Sequence, residues 1–243
     1  MKTKNTLFLT MGGKGGVGKT ILATLFADYF TSNSIPFTAY DCDMENMGKA
    51  ASFSNAYPAA LKSNLRSVSD CDKLLSSAGE SSITLIDLPA NSSGDFMGWW
   101  ESVATPETLD ALNLQIVGLG SITPEAGSFA SVAQWATTLQ DSMKYVVGLN
   151  HRVLQRVAIP KEELFREYFH SKVGKQFREL LQPIEIEIPG LYEGSMALLA
   201  RSGQLPTEAS SSPGSPILDR ARIKSWTRSV HDQLTQISAE LLT

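Results

Sequence analysis

Cysteine is nearly absent from this 243-residue chain. The two present, Cys42 and Cys71, match no metal-ligand spacing and no disulfide framework, which argues against a zinc module or an iron–sulfur centre and fits a reducing compartment. Long apolar runs are missing too. Nothing approaches the roughly 20 consecutive apolar residues of a membrane span, and the early run Leu7-Phe8-Leu9 is too short for a signal-peptide core, so a cytoplasmic location is expected. Nor is there an excess of positive charge. Lys and Arg number 21 against 25 Asp and Glu, for a net charge of −4, which disfavours a whole-surface nucleic-acid binder but leaves a local basic patch open.

What is present is ordinary for a globular protein, with 42% hydrophobic and 19% charged residues and no internal repeat or linker. A single domain over residues 1–243 is expected. Apolar, β-rich runs at Thr6–Met11, Phe37–Tyr40, Ile83–Ile86, Gln115–Leu119, Tyr145–Leu149 and Ile184–Ile188 alternate with helical patterns. Those patterns cover Thr20–Thr31, Asp70–Ser77, Pro106–Leu112, Pro124–Leu139 and Lys161–Leu181, the last broken near Ser171. This alternation predicts an α/β fold, a doubly wound, mainly parallel sheet with helices on both faces. Thr207–Pro216 is rich in Ser, Pro and Gly and reads as an exposed loop. After it, Leu218, Ile223, Trp226, Val230, Leu234, Ile237 and Leu241 form one helical stripe, predicting a C-terminal helix over 217–242. Docking on a membrane or partner is one use for such a stripe. Packing on the body of the domain is favoured, because the polar face mixes acids with bases and lacks the cationic character that anionic lipid requires.

The sharpest motif is Gly13-Lys14-Gly15-Gly16-Val17-Gly18-Lys19-Thr20, which satisfies G-x-x-x-x-G-K-[ST] between an apolar strand and a long helix. Glycines let successive N–H groups turn toward phosphate oxygens, and the helix starting near Lys19 adds its positive dipole end. Lys19 is expected to reach the β- and γ-phosphates of ATP and the Thr20 hydroxyl to ligate Mg²⁺, with Ile21 completing the nucleotide-binding set. Lys14 is surplus, because cradling phosphate within one subunit needs no second lysine.

Acids follow at the strand ends. Asp41 and Asp43 emerge at the carboxyl edge, where open α/β sheets bind ligands, so both can approach the metal and the γ-phosphate. Asp43 is the candidate to orient the attacking water, with loop capping as the plainer role for either acid. Ser82–Asp87 is an apolar run ending in an acid, the Walker B pattern, which makes Asp87 a candidate Mg²⁺ ligand. Asn150 ends another strand with an amide that can pair with a purine edge or cap a loop. Trp99 and Trp100 fit a partner surface or the core equally well.

The string Lys14–Thr20 resembles the deviant Walker A motif of the ParA/MinD family of P-loop ATPases (SIMIBI class), which also includes arsenite-pump ATPases and nitrogenase iron proteins. The resemblance spans Thr6 to about Leu205 and is sharp only at the P-loop. It implies that Lys14 crosses a dimer interface to the partner's nucleotide, so that a homodimer forms on ATP and separates after hydrolysis. It implies further that Asp43 is required for hydrolysis and that Asp41 supports the Mg²⁺ shell. Leu88-Pro89-Ala90 resembles the family's γ-phosphate-sensing switch, Asn150 matches a position placed against adenine, and Ile186–Gly190 resembles a loop whose backbone, around Pro189, borders the base. Departures occur at Asp43-Met44-Glu45-Asn46, in place of D-P-Q, and at Asn91-Ser92-Ser93-Gly94.

The reading favoured from these residues is a slow, partner-stimulated ATPase that switches partner binding in plasmid or cargo partitioning or positioning, working with an adaptor or activator protein. Lys14 favours it over a metabolic P-loop enzyme such as an amide ligase, and the cysteines disfavour a reductase. An inert nucleotide-dependent scaffold is the third reading. A membrane role is disfavoured by the poor terminal anchor. Non-specific DNA binding stays open, resting on Arg220, Arg222, Lys224 and Arg228 and on His151, Arg152 and Arg156.

Overall fold

The structure, a computed structural model, describes residues 4–46, 48–90, 93–139, 143–152 and 159–242. Along the chain come β1 (Asn5–Met11), α1 (Lys19–Ser32), β2 (Thr38–Asp41), α2 (Phe53–Ala56), β3 (Leu61–Lys62), α3 (Val68–Glu80), β4 (Ile83–Asp87), α4 (Ser93–Val103), α5 (Pro106–Ala111) and β5 (Leu114–Ile122). They continue as α6 (Ser128–Leu139), β6 (Lys144–Asn150), α7 (Lys161–Leu164), α8 (Arg166–His170), α9 (Lys172–Leu181), β7 (Ile184–Ile188), α10 (Glu193–Ser202), α11 (Pro206–Ser211) and α12 (Ile217–Leu241). The strands form one sheet in the order β3-β2-β4-β1-β5-β6-β7, with every pairing parallel. β1 sits at the centre; on one side β2 and β3 form the outer strands and β4 returns to insert between β2 and β1, and on the other side β5, β6 and β7 follow outward in order. The central strands β1, β4, β5 and β6 are buried on both faces, which is why they read as mostly apolar runs.

Alternation along β1 divides the core. Leu7, Leu9 and Met11 face one cluster with residues of α3, α4, α5, α6, α8 and α9, whereas Phe8 faces the other with residues of α1, α2 and α12. α1 is buried nearly all round, from Leu22 through Phe30, so it is a central helix rather than an amphipathic surface one. α12 lays Ile223, Trp226, Val230, Leu234 and Leu241 on the same cluster. Leu218 lies off this stripe and is exposed. Among the described residues, no helix is long and apolar enough to cross a membrane.

The structure corrects several sequence expectations. Pro206–Ser211 is a helix rather than an exposed loop, because Pro206 occupies a first-turn position and Asp28 of α1 accepts hydrogen bonds from the Thr207 N–H (3.0 Å) and hydroxyl (2.8 Å). α6 starts only at Ser128, after a Thr123–Ser128 turn in which each residue bonds the other. The 161–181 segment breaks at Phe165 as well as at Ser171. β3 and the short helices α2 and α11 are too brief to carry a period, the ten-residue α10 buries only Ser195 and so has no buried apolar stripe, and α4 is apolar on more than one side.

Asp28 is 1% exposed and joins three helices, since His231 Nε2 of α12 also lies 3.0 Å from its carboxylate. Removing one member of a buried polar network strands the others. Asp28→Ala is therefore expected to lower unfolding stability by about 2–3 kcal/mol in urea titration; a loss under about 0.5 kcal/mol, the range of an ordinary surface change, would show that the network contributes little.

Candidate functional site

The loop between β1 and α1 carries no side-chain cap at the helix start. Gly18 occupies the N-cap position in the left-handed region (φ 97°, ψ 28°), and no acidic residue stands in the first turn. The helix's free N–H groups and positive dipole end are thus left for an anion. Lys19 is buried and lies back across the loop, donating from Nζ to the Lys14 carbonyl at 3.1 Å. Burial pushes its ammonium below the usual lysine range, and the charges of Asp87 and Asp43 oppose that shift.

Asp87, at the end of β4, is 1% exposed and is held by two hydroxyls, Thr10 of β1 at 3.1 Å and Thr20 of α1 at 2.7 Å. Thr10 also accepts from the Leu88 N–H (2.8 Å), which ties the start of the segment after β4 to the central strand. Desolvation pushes the Asp87 carboxyl up to about 7, more than the two hydroxyl bonds and Lys19 pull it down. A buried acid of this kind, touching a threonine hydroxyl at the mouth of a phosphate loop, suits Mg²⁺, which prefers one or two protein oxygens beside phosphate and water. Among the described residues no group of three His, Cys, Asp or Glu side chains forms a fuller metal cage.

Asp41, in register with Asp87 across β2 and β4, is fully buried. Both of its oxygens accept main-chain N–H groups, from Asp43 (3.0 Å) and Ser54 (2.8 Å), so it organises the β2 loop. Asp43 is partly exposed, and its carboxylate accepts from the Asn46 N–H (3.2 Å) and side-chain amide (2.8 Å). It borders a cavity of about 410 Å³ shared with Cys42, Met44, Arg66, Pro89 and Phe96. Asp43 and Pro89 thereby face the same space.

Lys14 does not enter its own phosphate cradle. Its N–H donates to Ser131 Oγ (2.9 Å), and its ammonium donates to the Ala126 carbonyl (2.6 Å) and lies 3.8 Å from Glu125. Gly15 and Gly16 supply the exposed turn between Lys14 and the rest of the loop, Gly16 with φ 75°, and Gly13, half-buried, precedes Lys14. Val17 is buried, and Ile21 packs partly buried against the α1 side of the core. Asn150 is buried beneath the loop, donating to the Val17 carbonyl (3.1 Å) and accepting from the Arg152 N–H (2.9 Å). The Pro189 carbonyl accepts from Trp226 Nε1 at 2.7 Å.

Trp99 and Trp100 are core residues, Trp99 bonding Asp72 through its indole N–H. Of the basic residues, Arg152 pairs with Glu125, His151 lies against Glu187 and Phe165, and Arg222 pairs with Asp219 and covers the Tyr192 ring. Lys224 and Arg228 are exposed on α12. Arg156, Asn91 and Ser92 lie outside the described residues. Sequence reasoning missed Thr10, Ser121, Glu125 and Ser131; a hydroxyl at the carboxyl end of a strand beside the P-loop was the available signal for the first two.

No family model matches the chain, and no curated protein matches it in sequence. Solved structures do match in three dimensions. The MinD cell division protein of Aquifex aeolicus aligns over 96% of this chain and 97% of its own, with a TM-score of 0.55 at 16% identity. The MinC:MinD complex from the same organism gives 0.51 at 14% identity, covering 96% of each chain. The septum site-determining protein MinD of Pyrococcus horikoshii, solved with Mg-ADP, gives 0.57 at 12% identity, covering 97% of this chain and 98% of its own. The chain therefore has the MinD type of P-loop fold, a seven-stranded parallel sheet between two helical layers.

Proposed function

We propose that this chain is an ATP-dependent switch of the ParA/MinD kind, which closes as a homodimer on ATP, hydrolyses it slowly and so times its hold on an adaptor in cargo positioning. The observation that carries this reading is the division of labour between its two loop lysines. Lys19 lies buried across the phosphate loop and serves the nucleotide of its own subunit, whereas Lys14 is held away from that nucleotide by Ala126 and Glu125. That hold is weak. Surface ion pairs contribute about 0–1 kcal/mol, and a main-chain acceptor adds about as much, so a neighbouring subunit's triphosphate outcompetes it.

In the proposed cycle the free N–H groups at the start of α1 and Lys19 bind the β- and γ-phosphates. Thr20 and Asp87 would hold Mg²⁺, which when bound offsets phosphate charge. Asp43, at the mouth of the cavity beside Pro89, orients water for in-line attack. Asp41 fixes the β2 loop that presents Asp43. Loss of the γ-phosphate then reaches Pro89 through the Thr10–Leu88 tie, and the two subunits part. The solved MinD with Mg-ADP and the MinC:MinD complex support the nucleotide and the adaptor class respectively, as properties of those proteins.

Three variants separate the roles. Lys19→Ala is expected to weaken ATP binding at least a hundredfold in calorimetry; retained affinity would remove Lys19 from the site. Asp43→Ala should keep binding but cut turnover more than tenfold, accumulating an ATP dimer on size-exclusion chromatography. Wild-type turnover by that variant would end the assignment. Lys14→Ala should bind ATP as a monomer at wild-type affinity and fail to dimerise, whereas an ATP dimer that survives the change would refute the two-subunit reading.

A further inference from the structure

Asn150 is bonded on both sides of its amide, and both bonds run to the main chain. Its Nδ2 donates to the Val17 carbonyl at 3.1 Å, and its Oδ1 accepts from the Arg152 N–H at 2.9 Å. The two bonds fix which way round the amide lies, since exchanging O and N would oppose donor to donor and acceptor to acceptor. Arg152 itself sits in the left-handed region at φ 60°, a conformation that non-glycine residues adopt only where the surroundings hold it. Here the Asn150 oxygen and the ion pair between Arg152 and Glu125 hold it.

The same Val17 carbonyl takes a second hydrogen bond, from Ser121 Oγ at 2.8 Å. Ser121 and Asn150 stand at the carboxyl ends of adjacent strands, β5 and β6, and are 0% and 3% exposed. One carbonyl of the glycine-rich loop thus has both lone pairs engaged from the sheet. A β-carbon on Gly18 would come within 2.3 Å of Asn150 Nδ2 and 3.4 Å of Ser121 Oγ, so glycine is required there to let the two donors reach the backbone as well as for its φ of 97°.

We infer that Ser121 and Asn150 are positioning residues that clamp the Val17–Gly18 peptide, and that through this clamp both serve the phosphates of the nucleotide. The peptide is planar and trans, so its carbonyl and its N–H point in opposite directions. Drawing the Val17 carbonyl down onto β5 and β6 aims the Gly18 N–H out of the sheet, toward the space where the loop receives an anion. Without the clamp, that peptide is free to flip and present a carbonyl oxygen to phosphate, replacing an attraction by a repulsion. The inference rests on the nucleotide reading above and redefines what one of its residues does.

Inorganic tripolyphosphate, which has no base, separates the two roles. Affinities for ATP, GTP and tripolyphosphate, each with Mg²⁺, are to be measured by calorimetry for the wild type, Asn150→Ala, Ser121→Ala and Ser121→Thr. The clamp predicts that Asn150→Ala and Ser121→Ala each weaken all three ligands by a similar factor, about tenfold for the loss of one buried hydrogen bond, and leave the ratio of ATP to GTP affinity unchanged. Ser121→Thr, which keeps the hydroxyl, should restore tripolyphosphate binding. A changed ATP to GTP ratio in Asn150→Ala, with tripolyphosphate affinity intact, would overturn the inference and return Asn150 to the base. Equal losses in Ser121→Ala and Ser121→Thr would remove Ser121 from the clamp. A wild-type chain that binds none of the three ligands would overturn the nucleotide reading itself, and the clamp with it.

Discussion

A buried carboxylate held by two threonines organises the carboxyl edge of this sheet. Asp87 joins β4 to β1 through Thr10 and to α1 through Thr20, and Thr10 passes the connection to the Leu88 N–H. The two elements that flank the P-loop, β1 and α1, are thereby fixed within hydrogen-bond range of one acid on the distant β4. Burying that acid is costly, and desolvation raises its pKa to about 7.

The interior extends that edge toward the rest of the fold. α4 follows the Asp87–Pro89 segment, and its Phe96 stacks on Trp135 of α6 with ring centroids 5.9 Å apart. α6 returns to the phosphate loop, where Ser131 receives the Lys14 N–H and Val132 packs close above Gly12 and Gly120. The segment that would sense the γ-phosphate and the lysine that would cross to a partner are therefore joined by one packed helix. Contact alone does not establish coupling, but the close packing of this face gives a small movement few ways to dissipate. On the opposite face, α1 packs against the sheet, α11 and α12, and its Asp28 ties it to both of those helices.

Much of this was legible in the sequence, and for physical reasons. Strands buried on both faces are largely apolar, so β1, β4, β5 and β6 stood out as runs, whereas the edge strand β7 stood out by its alternation of Ile and Glu, and the P-loop because few residue types satisfy its geometry. Asp87 was legible because an acid at the end of an apolar strand has little other reason to be there. Two-residue β3 and four-residue α2 carry no periodicity, and the helical state of Pro206–Ser211 depends on Asp28, 179 positions away from Thr207. The partners of Lys14 were illegible for the same reason, since Ala126 and Ser131 are brought to it only by the sheet order. Asn150 is the instructive case. Its position at a strand end was readable, whereas the direction of its amide depends on a carbonyl 133 residues earlier in the chain.

The central claim, that ATP closes two copies of this chain around Lys14 and that hydrolysis lets them part, is tested most directly by the mass of the wild-type protein in solution. Sedimentation velocity with Mg²⁺ and a non-hydrolysable ATP analogue should give a dimer, and the same protein with Mg²⁺ and ADP a monomer. A chain that binds the analogue tightly yet sediments as a monomer with both nucleotides would contradict the account.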